Sequence, residues 1–344
     1  MKAMVLKEYK YLEIEDIPIP HIEAADELLV RVKATAICGS DIHGFDGSTG
    51  RRKPPLVMGH EASGVVESVG SEVKSLKIGD RVTFDSTVWC GECYFCRQGQ
   101  VNLCDKRRVL GVSCDEYRKD GTFAEYVIVP ERIVYKLPDN VAFEEAALTE
   151  PVSVAMHAFD ITGMKPGENA AVIGSGLIGL LLIQIIRAYS PHLIIAFDTD
   201  EKRRKAAIEA GADIALDPQD PESHKTVLSM TNDRGVDRAF EAVGASAAIG
   251  TAIESVRKGG SVTLIGNISN KAEIPLQSVV TRQIALLGSC AISGEYPVSL
   301  ALMANRTIDV RQVISAIAPL EEGPLWFDRL YKREPGLLKV VLTP

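Results

Sequence analysis

Residues 169–188, NAAVIGSGLIGLLLIQIIRA, decide the fold of the second half of this chain. A short apolar run is followed by a glycine turn and then by a longer apolar run with the length of a helix. Strand, glycine turn and helix in this order form the context in which G-x-G-x-x-G binds a dinucleotide, because the helix N-terminus offers unpaired N–H groups to a pyrophosphate. The predicted cofactor-binding residues of this turn are Gly174, Gly176, Leu177, Ile178 and Gly179.

A second cofactor signal lies at the end of the next apolar run, LIIAFD, where Asp198 follows the glycine turn by about 20 residues. A carboxylate at this position accepts hydrogen bonds from the adenosine ribose. Asp200 and Glu201 add negative charge that repels a 2′-phosphate, so the sequence predicts NAD as the cofactor. Arg203 is placed to stack on the adenine. The alternative is a plain glycine turn with an aspartate that caps a helix.

The chain of 344 residues exceeds the roughly 250–300 residues at which single cores stop growing, so two domains are predicted. Residues 1–150 contain short strand-like runs between Gly, Pro and Asp turns, which indicates mostly β structure. From residue 169 onward, strand-like and helix-like runs alternate and predict a doubly wound parallel sheet. The final run, LLKVVLTP, reads as a strand that returns to the first domain. The predicted domains are 1–150 with 291–344, and 151–290.

Four cysteines fall within the segment WCGECYFCRQGQVNLC: Cys90, Cys93, Cys96 and Cys104. Thiolates at these short spacings converge on one tetrahedral metal ion and predict a structural zinc site with no position open to a substrate. Disulfides or an iron–sulfur cluster are the alternatives. Zinc is favoured because the rest of the chain is typical of a cytosolic protein and the cysteine–proline run of ferredoxins is missing.

The composition and net charge indicate which classes of molecule the protein is expected to bind. Hydrophobic residues make up 46% and charged residues 24% of the chain, and the net charge is −8, which disfavours nucleic acids and anionic membranes. The N-terminal sequence has no apolar signal core. The longest apolar stretch, residues 177–186, is about half of what a membrane span needs. A cytoplasmic protein that acts on a small molecule is therefore expected.

Five segments together resemble the zinc-dependent medium-chain alcohol dehydrogenase family. CGSDIH at residues 38–43, GHEASGVVESVGSEV at 59–73, the four-cysteine segment, GSGLIG at 174–179 and LLKVVLTP at 337–344 occur in that family's order and cover essentially the whole chain. The resemblance implies a GroES-like β domain that carries catalytic zinc and a Rossmann domain that binds NAD. Two zinc ions per chain and a homodimer or homotetramer are expected.

The resemblance also implies roles for individual residues. Cys38 and His60 are expected to bind the catalytic zinc, with Glu61 and Glu150 supplying the carboxylate ligand. Ser40 is expected to pass the substrate proton outward, and His43 to continue this relay; a turn-capping serine and a surface histidine are the alternatives.

Two further residues in matching segments have competing interpretations. Lys339 occupies a place where the family often has a basic residue near the pyrophosphate, although an exposed strand lysine fits equally well. His157 is interpreted as a packing histidine.

The segment EPVSVAMHA at residues 150–158 resembles the sorbitol and polyol dehydrogenases, which implies that hydride passes from a secondary hydroxyl to NAD and leaves a ketone. Three positions depart from that branch. Ala291 and Ile292 stand where sorbitol dehydrogenases carry an Arg–Tyr pair that grips the polyol, and Gly44 stands where a tyrosine is usual. We therefore expect sorbitol to be a poor substrate. A threonine-type amino-alcohol dehydrogenase, a zinc-free quinone reductase and a non-enzymatic scaffold of the same fold are the alternatives.

Overall fold

The computed structural model describes residues 1–344, which form two compact units. Unit 1 comprises Met1–Glu150, Ile292–Ala304 and Val310–Pro344, and unit 2 comprises Pro151–Ala291 and Asn305–Asp309. The predicted division placed Ala291 and residues 305–309 with the first domain, whereas here they belong to unit 2. Within that unit the Asp309 N–H donates to Gln184 Oε1 at 2.7 Å.

Twenty strands and eleven α-helices follow one another along the chain. The strands are β1 (Lys2–Glu8), β2 (Tyr11–Asp16), β3 (Glu27–Ala36), β4 (Leu56–Val57), β5 (Glu61–Val69), β6 (Arg81–Phe84), β7 (Thr87–Val88), β8 (Arg108–Val109), β9 (Val112–Ser113), β10 (Arg118–Lys119), β11 (Tyr126–Pro130), β12 (Val134–Lys136), β13 (Asn169–Ile173), β14 (Leu193–Phe197), β15 (Ile214–Leu216), β16 (Val236–Glu241), β17 (Val256–Leu264), β18 (Ala285–Gly288), β19 (Ile314–Pro319) and β20 (Lys339–Thr343). The helices are α1 (Gly39–Phe45), α2 (Tyr94–Arg97), α3 (Phe143–Ala146), α4 (Thr149–Thr162), α5 (Leu177–Ala188), α6 (Glu201–Glu209), α7 (Ser223–Met230), α8 (Ser246–Ser255), α9 (Leu276–Thr281), α10 (Tyr296–Ala304) and α11 (Gly323–Tyr331).

Unit 1 is organised around β3, the longest strand of a seven-stranded sheet with the order β12-β6-β5-β3-β20-β19, in which β11 also pairs with β3. Leu28, Val30 and Val32 alternate along β3 and are buried, whereas Arg31 between them is exposed. This period of two is what the pleat of a half-buried strand requires. Both β5 and β20 run antiparallel to β3, so their starts lie at the end of β3.

Unit 2 contains a six-stranded parallel sheet with the order β15-β14-β13-β16-β17-β18, and a helix connects each strand to the next in sequence. The central strand β13 is buried from Ala170 to Ile173, as expected for a parallel strand that is covered on both faces. The strand order reverses between β13 and β16. The predicted doubly wound sheet is confirmed, and ligands bind such sheets at the carboxyl ends of the strands beside the reversal.

The apolar helix α5 spans 12 residues, well short of the about 20 that a membrane span requires. None of the other helices combines the length and apolar character needed to cross a membrane.

Candidate metal centres and cofactor site

Three metal-binding side chains converge at the end of β3. The pairing of β3 with β5 places Ala36 opposite Glu61, so Cys38, two residues beyond Ala36, comes close to His60 and Glu61 at the start of β5. One ligand atom from each of these three side chains lies within 4.8 Å of the others. A thiolate sulfur, an imidazole nitrogen and a carboxylate oxygen are ligands that zinc accepts.

The orientation of His60 supports this role. Its Nδ1 lies 3.3 Å from Asp41 Oδ1, and both side chains are buried. Because Nδ1 faces this carboxylate, Nε2 is left to bind a metal, which is the usual arrangement of a zinc-bound histidine and its supporting acid. The other Asp41 oxygen, Oδ2, accepts the Cys38 N–H at 3.2 Å. The residues at this site therefore fit a zinc ion, and Asp41 supports two of the three ligands.

Lys339 is an unexpected member of this cluster. It is fully buried, and its Nζ donates to Glu61 at 2.8 Å (Oε1) and 2.7 Å (Oε2) and to the Ile37 carbonyl at 3.1 Å. Burial lowers the pKa of Lys339, but the negative charges of Glu61 and Cys38 outweigh it and raise the pKa above its ordinary value. The interpretation as an exposed strand lysine was wrong, and the ammonium group is engaged by Glu61 rather than open to a phosphate.

Glu150 begins α4 and is not part of the three-residue group. Its Oε1 accepts a hydrogen bond from Ser86 Oγ at 3.2 Å. Burial and the nearby charge of Glu61 raise the pKa of Glu150 to about 7, against the opposing influence of His60 and Lys339. Glu150 therefore lies close enough to interact electrostatically with the ligands, although its carboxylate is not within their 4.8 Å cluster.

The two predicted relay residues lie on α1. Ser40 is half-buried, and its Oγ accepts a hydrogen bond from Arg52 Nη2 at 3.1 Å. His43 lies three residues further along the helix, so it shares the face of Ser40, and it is exposed. The sequence does not indicate that Arg52 contacts this site, because the run Arg-Arg-Lys at residues 51–53 is typical of a solvated surface. It also leaves Asp41 without a role.

Gly44 lies on the same helix, at the position where the polyol branch usually has a tyrosine. A β-carbon at Gly44 would lie 1.8 Å from Arg52 Cδ, so the space without a side chain is filled by Arg52 and a hydrogen-bond donor is present nearby. Ile292 is fully buried, and Ala291 has a positive φ of 52°. Ile292 therefore packs in the interior, and neither side chain carries a polar group. His157 is buried on α4.

The four-cysteine segment folds into a second cluster in which the ligand atoms of Cys90, Cys93, Cys96 and Cys104 lie within 4.8 Å of one another. Cys93 caps α2 and Cys96 lies within it, which brings two sulfurs to one helical turn. The Cys90 N–H donates to Cys104 Sγ at 3.3 Å, and the Glu92 N–H lowers the pKa of Cys90 to about 7. Four thiolates are the ligand set of a closed tetrahedral site, so this cluster fits structural zinc.

The glycine turn of unit 2 has the geometry of a phosphate cradle. Gly174 adopts a φ of +94°, which side chains rarely allow, and a β-carbon at Gly179 would lie 1.9 Å from the Gly174 carbonyl oxygen. No atom lies within 4 Å of the β-carbon position of Gly176, which caps α5. Leu177 and Ile178 form the first turn of that helix, where free N–H groups face the open space.

Asp198 follows β14 and is almost fully buried. Its Oδ2 accepts the Ser175 N–H and its Oδ1 the Asp200 N–H, both at 2.9 Å. The first bond joins Asp198 to the glycine turn, and the second joins it to the residue that caps α6. The Arg203 side chain is half-exposed, and its Nη1 lies 3.9 Å from Asp198 Oδ2. The structure therefore brings the two predicted cofactor signals together and places a cation beside them.

Comparison with known proteins agrees with this geometry. Residues 24–139 match the alcohol dehydrogenase GroES-like domain, and residues 178–305 match the zinc-binding dehydrogenase domain. Sorbitol dehydrogenase of Bacillus subtilis is 34% identical over 100% of this chain and 97% of its own. D-arabitol-phosphate dehydrogenase of Enterococcus avium is 34% identical over 97% and 94%. The alcohol dehydrogenase TADH from Thermus sp. ATN1 superposes with a TM-score of 0.93 at 32% identity and covers 100% of this chain and 99% of that one.

Replacing Lys339 by Met should destabilise the protein by about 3–5 kcal/mol, because the buried Glu61 carboxylate would lose its cation. The free energy of unfolding in urea measures this loss. The double variant Lys339→Met/Glu61→Gln should recover a large part of it, since no unpaired charge remains. Equal stability of Lys339→Met and the wild type would contradict the ion pair.

Proposed function

Because the chain belongs to the zinc-dependent medium-chain alcohol dehydrogenase family, whose members oxidise CH–OH groups, we propose that it oxidises a secondary hydroxyl of a polyol or sugar alcohol to a ketone and passes the hydride to NAD. The observation that carries this proposal is the convergence of the donor atoms of Cys38, His60 and Glu61, with Ser40 two residues from Cys38 at the start of α1. The two polyol-related dehydrogenases among the relatives support this class of substrate.

The residues around Cys38 and His60 have separate proposed roles in metal binding and proton transfer. Cys38 and His60 would hold zinc together with a carboxylate, and Asp41 would fix the ring of His60. When bound, zinc supplies Lewis-acid polarisation of the substrate hydroxyl, and NAD accepts the hydride. Ser40 takes the proton of that hydroxyl and releases its own towards His43, which is exposed and can give a proton to water. A second zinc at the four-cysteine cluster would have a structural role.

The choice of carboxylate ligand follows from the partners of the two glutamates. Both oxygens of Glu61 are engaged by Lys339, so binding to the metal competes with an ion pair. Glu150 has a single hydrogen bond from Ser86. Glu150 would therefore be the carboxylate more easily released to a bound zinc, whereas Glu61, which lies in the ligand cluster, would have to give up Lys339 to bind it.

We propose NAD rather than NADP as the cofactor because the side chains around the predicted ribose site are mainly negatively charged. Asp198 is fixed by two backbone N–H groups beside the glycine turn, and Asp200 and Glu201 add negative charge nearby. Arg203 partly offsets this charge, because its guanidinium lies 3.9 Å from Asp198. The proposed preference for NAD therefore rests on the side chain of Asp198 and its acidic neighbours outweighing that single cation.

We propose that two copies of the chain pair along the free edge of the unit 2 sheet. The resulting homodimer would be the whole assembly or half of a tetramer. Strand β18 ends the sheet, and Leu276 and Val280, one helical turn apart on α9, are 62% and 69% exposed. An unpaired edge with apolar neighbours favours pairing with a second copy of the chain. The cytoplasm is the proposed location, because a four-thiolate metal site requires reduced cysteines.

Replacing Asp198 by Ala should raise the KM for NAD and narrow the preference over NADP, since the ribose loses its acceptor and Arg203 becomes free to attract a 2′-phosphate. Steady-state kinetics with both cofactors measure the change. Glu209→Gln, an exposed residue at the end of α6, is the matched control and should leave both values unchanged. A wild-type enzyme that works better with NADP would contradict the proposed cofactor.

The substrate class is tested with purified enzyme and NAD on a panel of polyols, polyol phosphates, threonine and simple alcohols. We expect the highest kcat/KM for a secondary hydroxyl next to another hydroxyl, and a high KM for sorbitol, because Ala291 and Ile292 offer no side-chain hydrogen bonds. Each missing hydrogen bond costs about 0.5–1.5 kcal/mol, or up to about tenfold in affinity. A clear preference for threonine, or strong activity on sorbitol, would contradict this expectation.

A further inference from the structure

A buried guanidinium lies between the predicted proton relay and the support of the metal ligands. Arg52 is 6% exposed, and its Nη2 donates both to Ser40 Oγ at 3.1 Å and to Asp41 Oδ1 at 3.2 Å. Asp41 is fully buried and also faces His60. Arg52 Nη2 therefore connects the hydroxyl of Ser40, the proposed proton acceptor, to the carboxylate of Asp41, which faces the expected zinc ligand His60.

The path of the Arg52 side chain depends on Gly44. A β-carbon there would lie 1.8 Å from Arg52 Cδ and 2.9 Å from Nε, so any other residue would displace the stem. The backbone on either side is fixed by β9: the Lys53 N–H donates to the Ser113 carbonyl at 2.9 Å, and the Ser113 N–H to the Arg51 carbonyl at 3.1 Å. The backbone at Arg52 cannot move away from Gly44 without breaking these two hydrogen bonds.

The chemistry of the two groups sets the direction of their hydrogen bond. A guanidinium only donates, so Ser40 Oγ must be the acceptor, and the hydroxyl proton of Ser40 points to a different partner. A hydroxyl that rotated freely would donate to whichever acceptor lay nearest. We propose that Arg52 is a positioning residue that fixes the Ser40 hydroxyl in the orientation needed to receive the substrate proton while releasing its own. This inference rests on the relay role proposed for Ser40.

A purely structural role explains Arg52 less well. A buried ion pair stabilises a fold little more than apolar side chains of similar volume would. The ion pair with Asp41 accounts for only one of the two hydrogen bonds that Arg52 Nη2 donates and leaves the bond to Ser40 unexplained. The Nε of Arg52 is buried and has no hydrogen-bond partner, so the fold does not use the full donor capacity of the guanidinium. The hydrogen bond to Ser40 is the contact that a catalytic role requires.

The test compares Arg52→Gln, Arg52→Lys, Ser40→Ala and Gly44→Ala with the adjacent exposed control Arg51→Gln. The assay uses the fastest alcohol of the panel, so failure of the polyol assignment does not affect it. We expect Arg52→Gln to lower kcat roughly tenfold or more with a much smaller change in KM, and to increase the solvent deuterium isotope effect on kcat. Arg52→Lys should recover part of the loss, and Arg51→Gln should behave like the wild type.

Gly44→Ala keeps the charge of Arg52 but displaces its stem, so it should reproduce the loss of kcat. In an Arg52→Ala background it should have little further effect, because the clashing atoms are gone. If Arg52→Gln folds poorly, as judged by its unfolding temperature and zinc content, Gly44→Ala and Arg52→Lys decide the question.

Two outcomes would overturn the inference. If Ser40→Ala lowers kcat while folded Arg52→Gln and Gly44→Ala do not, the relay stands and Arg52 has no part in it. If Ser40→Ala is fully active, the relay in the proposed function fails and the positioning role fails with it. Losses from Ser40→Ala and Arg52→Gln that multiply in the double variant would show that Arg52 acts independently of Ser40, which also contradicts the proposal.

Discussion

The carboxylate of Asp41 is the group on which the rest of the metal centre depends. A fully buried carboxylate is costly unless charges and hydrogen bonds compensate it. Burial raises the pKa of Asp41, but His60 and Arg52 outweigh this effect and hold the pKa below its ordinary range. The Cys38 N–H adds a third partner. One carboxylate thus contacts the ring of His60, supports the loop of Cys38 and retains the cation that contacts Ser40.

Strand register places these partners within reach of one another. Ala36 at the end of β3 pairs with Glu61 on one side and with Val341 on the other. Glu61 and Lys339 therefore approach the same end of β3 from two strands and form a buried ion pair. A shift of one residue in either pairing would turn these side chains to the opposite face of the sheet. The antiparallel ladder of unit 1 is thus a requirement of the chemistry.

The parts of the site that are local in sequence were predictable. The four cysteines lie within one short segment, and the glycine turn carries its strand and helix with it, so spacing alone indicates both. Cys38 and His60 required a resemblance to known enzymes, because 22 positions separate them and only the pairing of β3 with β5 joins them. The fold class followed from the change from turn-rich short strands to alternating strands and helices.

Contacts between distant segments were not predictable in the same way. Lys339 was interpreted as a surface residue or a phosphate-binding residue because nothing in the last strand indicates that Glu61 lies beside it. Arg52 belongs to a basic run that is typical of solvated surface, and only the missing side chain of Gly44 makes room for it. That glycine was interpreted as a lost hydrogen-bond donor, whereas the structure fills its space with a different donor.

X-ray absorption at the zinc edge, with zinc content measured on the same samples, tests the central claim that this chain holds two metal environments of different chemistry. The account predicts two ions in the wild type, one bound by four sulfurs and one by a single sulfur with nitrogen and oxygen ligands. Cys38→Ser should lose the mixed environment, about one ion and the activity, while the all-sulfur site remains. A single all-sulfur environment in the active wild type, unchanged in a fully active Cys38→Ser variant, would contradict the account.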